Sequence, residues 1–167
     1  METVVILAKN DIDTASNLRA QVNKINPEIL LYINPNGNIF KDNIILLALG
    51  GDISGDIANS VCTAVALSED TDTLSALERL RLPVITCGLS SRDTVSISGT
   101  ADNSYSISLQ RKIRRADGSY VEPCEILIKN TDFSHRTAAV FAAVMLITGS
   151  NKSVYDLRTL QPPENMV

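Results

Sequence analysis

A chain of 167 residues with a net charge of −4 is long enough for one domain with a full core and too short for two of ordinary size. Hydrophobic residues at 44% and charged residues at 20% exclude a disordered or collagen-like chain, and apolar stretches such as Ile44–Leu49 fall far below the roughly 20 residues that span a bilayer. The acidic balance argues against nucleic acid or an anionic membrane as partner, and Met1-Glu2-Thr3 lacks the basic start of a secretory signal, so a cytoplasmic protein is expected.

Residues 3–86 alternate short apolar runs with helical patterns. Residues 4–7 form a β-branched run suited to a buried strand. Asp13 or Thr14 is placed to cap a helix carrying Leu18, Val22 and Ile25 at helical spacing, with Pro27 just beyond it. Residues 29–33 read as a second strand, closed by the turn signal Asn34-Pro35-Asn36-Gly37. Ile44–Leu49 reads as a third strand opening into Gly50-Gly51-Asp52, and residues 56–60 as a short helix. A strand at 63–67, a helix at 71–82 with Leu74, Leu77 and Leu80 inward, and a strand at 84–86 complete a pattern that implies a parallel sheet covered by helices.

Residues 94–129 change to period two. Val95-Ser96-Ile97-Ser98 and Tyr105-Ser106-Ile107-Ser108-Leu109 alternate as half-buried strands do. Asp117-Gly118 signals a type I′ hairpin, and residues 120–129 read as one strand whose Pro123 marks an edge or a bulge. Residues 134–148 form an Ala-rich helix closed by Gly149, residues 153–157 add a helical turn, and Gln161-Pro162-Pro163-Glu164 is loose. The expected fold is a three-layer α/β domain over residues 1–160, its mostly parallel sheet extended by a smaller antiparallel section, with a flexible tail at 161–167.

The candidate chemistry is sparse. Cys62, Cys87 and Cys124 are widely spaced and there is one histidine, His135, so no metal site is expected; Cys62 and Cys87 sit in apolar runs and read as core cysteines, with a Cys87 thiolate paired with His135 as the alternative. The run Arg111-Lys112-Ile113-Arg114-Arg115 reads either as a solvated hairpin that discourages edge pairing or as a basic tip for a phosphate or acidic partner. Gly50, Gly51, Asp52, Gly55 and Asp56 follow a buried strand, where ligands of open α/β sheets bind, and are the leading ligand-binding candidates beside a tight turn with a helix cap as their alternative.

Set in order, residues 63–149 resemble the second half of the Mur ligase central domain. The strand at 63–67, an acidic cluster, a helix and Leu82-Pro83-Val84-Ile85-Thr86-Cys87-Gly88-Leu89 are followed by antiparallel strands. A helix opening His135-Arg136-Thr137-Ala138-Ala139 comes last. The resemblance implies a bacterial, cytoplasmic protein and makes His135 a ligand-contact candidate, with a plain helix-start role as the alternative. It also shows what is lost. Where the family has Gly-Thr-Asn-Gly-Lys-Thr, this chain reads Lys9-Asn10-Asp11-Ile12-Asp13-Thr14, without the glycines and with Asp13 in place of the phosphate-binding lysine.

No glutamate lies between Glu28 and Glu69 for the family's magnesium, and no lysine between Lys41 and Lys112 for its carbamylated residue. Phosphoryl transfer depends on such groups. The expectation is therefore a non-catalytic relative, without cofactor, that binds a protein partner, itself or a small ligand. An enzyme with a nucleotide or metal site rebuilt at residues 50–56 is the alternative. The helix over residues 137–146 is apolar nearly all round, so it is either sandwiched inside the domain or part of an interface beside Tyr120-Val121-Glu122-Pro123.

Overall fold

The β-branched run near the N-terminus forms β1 (Thr3–Ala8), which lies between β2 (Leu30–Ile33) and β3 (Ile44–Leu49) and is parallel to both. This computed structural model describes residues 2–35, 43–102, 104–129 and 133–150. Beyond β3 the sheet continues in parallel through β4 (Val61–Leu67), β5 (Val84–Gly88) and β6 (Val95–Ala101), then reverses into β7 (Ser104–Leu109). A two-stranded sheet of β8 (Ile113–Arg114) and β9 (Tyr120–Val121) follows, and the chain returns as β10 (Cys124–Lys129), antiparallel to β7. The main sheet has eight strands in the order β10-β7-β6-β5-β4-β3-β1-β2. The α/β class and the parallel-to-antiparallel change are as the patterning predicts.

Helices α1 (Ile12–Ile25) and α4 (His135–Ile147) cover one face, while α2 (Gly55–Ala58) and α3 (Thr71–Arg79) lie on the other. In α1 the buried Ala15, Leu18 and Val22 sit three and four residues apart, a single core-facing stripe. Its cap is Asp11, not Asp13 or Thr14: the Asp11 carboxylate accepts from the Thr14 amide at 3.3 Å. Helix α3 stops at Arg79, short of residue 82, because Leu80 caps it and Arg81 turns into the left-handed region at φ +54°.

The Ala-rich α4 is sandwiched. Every residue from Thr137 to Ile147 is buried, in one core cluster with β-strand residues Val65, Cys87, Val95 and Ile107, with Leu18 and Val22 of α1, and with Ile113 and Val121 of β8–β9. A helix enclosed on all sides has no use for a polar stripe, which explains its composition. It therefore offers no interface surface, and that reading of its sequence is set aside. Its C-terminal end is held by the Arg115 guanidinium, whose Nε donates to the Leu146 carbonyl at 3.2 Å, a cation suited to that end of the helix dipole.

Two details of the antiparallel section depart from expectation. In the Asp117-Gly118 turn only Gly118 takes positive φ, +88°. Its amide donates to the Arg115 carbonyl at 3.0 Å and the Arg115 amide to the Ser119 carbonyl at 2.7 Å, so the loop is a three-residue turn closed by a left-handed glycine, not type I′. Residues 120–129 are two strands, because Pro123 lacks the amide that would continue the ladder and the chain changes sheet there. The basic run divides: Lys112 pairs with Glu122 at 2.9 Å and lies 4.8 Å from the Tyr120 ring centre, while Arg115 serves α4.

Among the described residues no helix is long and apolar enough to cross a membrane. Residues 36–42, part of the turn expected after β2, lie outside the described residues, as do the helical turn at 153–157 and the tail at 161–167.

Candidate functional site

The carboxyl ends of β1, β3 and β4 determine the geometry of the candidate site. At the end of β1, Asn34 reaches across from β2 and holds both backbone groups of Ala8. Its Oδ1 accepts from the Ala8 amide at 2.8 Å, and its Nδ2 donates to the Ala8 carbonyl at 2.7 Å. On the other side Gly50, at φ +84°, makes an isolated bridge with Ala8. Gly51 packs so closely on β1 that a Cβ there would sit 2.7 Å from the Leu7 Cβ and 3.0 Å from its backbone carbon. The strand exit is thus fixed on both sides, and Lys9-Asn10-Asp11 must turn directly into α1.

Around this exit lies a cavity of about 260 Å³. Its apolar wall comes from Leu18 of α1, Leu49 of β3, Leu67 of β4 and Val140 of α4. Charged groups surround it: Lys9 and Arg136 against Asp11, Glu69 and Asp70, one negative charge in excess. Three helices start here, and each is capped by its own chain. Asp11 serves α1. Asp70 serves α3, accepting from the Thr73 amide at 3.1 Å and the Thr73 hydroxyl at 2.6 Å. Ser134 serves α4, accepting from the Thr137 amide at 3.2 Å. An ion pair between Arg136 and Glu69 links the start of α4 to the β4–α3 loop, both side chains more than half exposed.

Of the ligand-binding candidates Gly50, Gly51, Asp52, Gly55, Asp56 and His135, Gly50 alone lines this cavity. Gly51 meets the Leu7 backbone, which gives its small size a packing reason. Asp52 and Asp56 are exposed, and Gly55 opens the short α2 behind its Ser54 cap, with open space where a Cβ would be. The turn-and-cap alternative therefore describes most of residues 50–56. His135 is exposed and turned to β7, its ring 5.4 Å from that of Tyr105 in an edge-to-face contact. Lys9, Asp11, Glu69, Asp70 and Arg136 were missed as a site. The signal was present in the degenerate phosphate loop at 9–14 and the acidic helix start at 69–72, which the fold brings together from segments some 55 residues apart.

The cysteines are structural in placement. Cys87 is fully buried, its Sγ directed at the Ala139 carbonyl 3.8 Å away, and burial together with the Asp93 carboxylate pushes its thiol well above the usual range. Burial also raises the half-buried Cys62 and Cys124. A raised pKa leaves less thiolate at a given pH, so alkylation of the native protein at pH 8 should be slower than that of a free cysteine at all three positions and absent at Cys87. Mass spectrometry of iodoacetamide-treated protein, native and in urea, checks this; modification of Cys87 without unfolding contradicts it. Among the described residues no three His, Cys, Asp or Glu side chains group as a metal set.

Comparison with protein-family models finds none that matches this chain, and no curated protein matches it.

Proposed function

We propose that this protein is a degenerate relative of the Mur ligase central domain that binds a small molecule in the cavity at the carboxyl ends of β1, β3 and β4, without phosphoryl transfer. One observation carries the reading: the helix N-termini around the cavity are closed by the protein's own side chains, two of them carboxylates. In a phosphate loop, free amides and a lysine meet the phosphates. Here an Asp11 oxygen sits on the Thr14 amide and Asp13 lies exposed in the first turn, so a polyphosphate meets fixed negative charge instead. The apolar wall remains, as ligand pockets require. Its acidic balance fits a cytoplasmic setting.

The alternative, a nucleotide or metal enzyme rebuilt at residues 50–56, has less support, since Asp52 and Asp56 are exposed and do not line the cavity. Calorimetric titration with ATP and Mg²⁺ should give no binding tighter than about 1 mM, equivalent to about −4 kcal/mol, and Asp13→Lys should not change that. Isopentanol, a neutral apolar probe, should move the amide NMR signals of Leu18, Leu49, Leu67 and Val140. Thr14→Trp should abolish those shifts by filling the cavity, while the Asp11 cap, which uses the Thr14 backbone, stays in place. ATP turnover overturns the proposal, as does an isopentanol titration that leaves the cavity amides unmoved.

A further inference from the structure

We infer that β10 is a dimerisation edge, which pairs antiparallel with β10 of a second copy across a two-fold axis at Leu127. Among the described residues β10 ends the eight-stranded sheet, with β7 on one side only. Antiparallel strands alternate between residues whose amide and carbonyl face the neighbour and residues whose groups face away. The Gln110 amide donates to the Thr94 carbonyl at 2.8 Å, so Gln110 and Ser108 face β6, while Leu109, Ile107 and Tyr105 face β10. Their partners Cys124, Ile126 and Ile128 are thereby satisfied. The backbone groups of Glu125, Leu127 and Lys129 point outward, a row that another strand can bond.

The side chains of that row select the occupant. Glu125, Leu127 and Lys129 lie opposite Ser108, Ser106 and Ser104, on the sheet face away from α4. Leu127 is half-buried there and belongs to neither apolar cluster, and Lys129 has no ion pair among the described residues. Edge charges hinder pairing with a strand of another sequence. Against a second copy they are complementary in one register. Centred on Leu127, the pair sets Glu125 of each copy opposite Lys129 of the other, with the two Leu127 side chains facing between them. Centring on Glu125 or on Lys129 opposes like charges, which destabilises a cross-strand pair. Centring on Ile126 sets Pro123, which has no amide, opposite Lys129, and centring on Ile128 leaves Glu125 beyond the end of the strand. The favoured register is symmetric, so the pairing closes as a dimer.

Sedimentation velocity from about 2 to about 200 μM should show a reversible dimer with a Kd on the order of 10 μM, as suits the small area of one strand edge. Over that range hydrogen exchange at the Glu125, Leu127 and Lys129 amides should slow about fivefold, while Ile126 and Ile128, bonded to β7, are unchanged. Glu125→Lys and Lys129→Glu each oppose like charges twice, and each alone should weaken the dimer at least about tenfold at low salt. Mixed in equal amounts, the two variants are complementary again and should pair about as tightly as the unaltered protein. A chain still monomeric at the highest concentration overturns the inference, as does a dimer whose outward β10 amides stay unprotected. A mixture that pairs no more tightly than either variant alone, or a dimer that neither variant weakens, also overturns it.

Discussion

Asn34→Ala should lower the stability of the fold by about 1–3 kcal/mol, measured by urea denaturation. The Ala8 amide and carbonyl, at the end of a strand whose Ala8 side is buried, both lose the partner that holds them at 2.8 and 2.7 Å. Asn34 is itself exposed, so water can take its place, and each lost hydrogen bond counts at its net worth of about 0.5–1.5 kcal/mol. Asn34 also stands in the left-handed region at φ +42°, where asparagine is better tolerated than alanine, and this strain adds to the loss. Asn34→Gly separates the two contributions. Glycine removes the strain but not the lost hydrogen bonds, so it should be destabilised nearly as much as alanine. A neutral Asn34→Gly would mean that the side-chain clamp adds nothing.

The second expected result is a contrast between two glycines four residues apart. Gly51→Ala should cost about 1–3 kcal/mol, because the new methyl group meets the Cβ and backbone carbon of Leu7 and the buried strand β1 must shift to make room. Gly55→Ala should be neutral or stabilising by about 0.4–1 kcal/mol, since it starts α2 with open space around it and alanine restricts the unfolded chain. Thermal denaturation of the two variants side by side decides the matter. Equal effects would mean that close packing against β1 is not what requires glycine at position 51.

Most of the sheet was legible because its strands are of two plain kinds. β1 and β3 are buried on both faces and read as unbroken apolar runs, whereas β6 and β7 carry serine on one face and read as alternation. The start of α1 was not fixed by sequence, since Asn10, Asp11, Asp13 and Thr14 are all capping residues and only the tight exit from β1 selects Asp11. Pro123 was read as an edge or bulge within one strand, but a local signal cannot show that the segments on either side join different sheets. The cavity was hidden for a similar reason. Lys9 and Arg136 are far apart in the chain, and the resemblance drew attention to missing phosphate-binding groups rather than to the charges in their place.

The enclosed position of α4 has a consequence for how the chain is made. Residues 135–147 follow every strand of the sheet, so during synthesis the face bearing Val65, Cys87, Val95 and Ile107 is complete before its cover has left the ribosome. Through that interval a broad apolar surface meets the cell's water, the state in which partly made chains adhere to one another or are taken up by chaperones. The Arg115 brace and the β8–β9 hairpin are already present when the helix arrives, so docking of α4 closes a prepared slot. A ribosome paused before residue 135 would hold a sheet with that face covered by α1 alone.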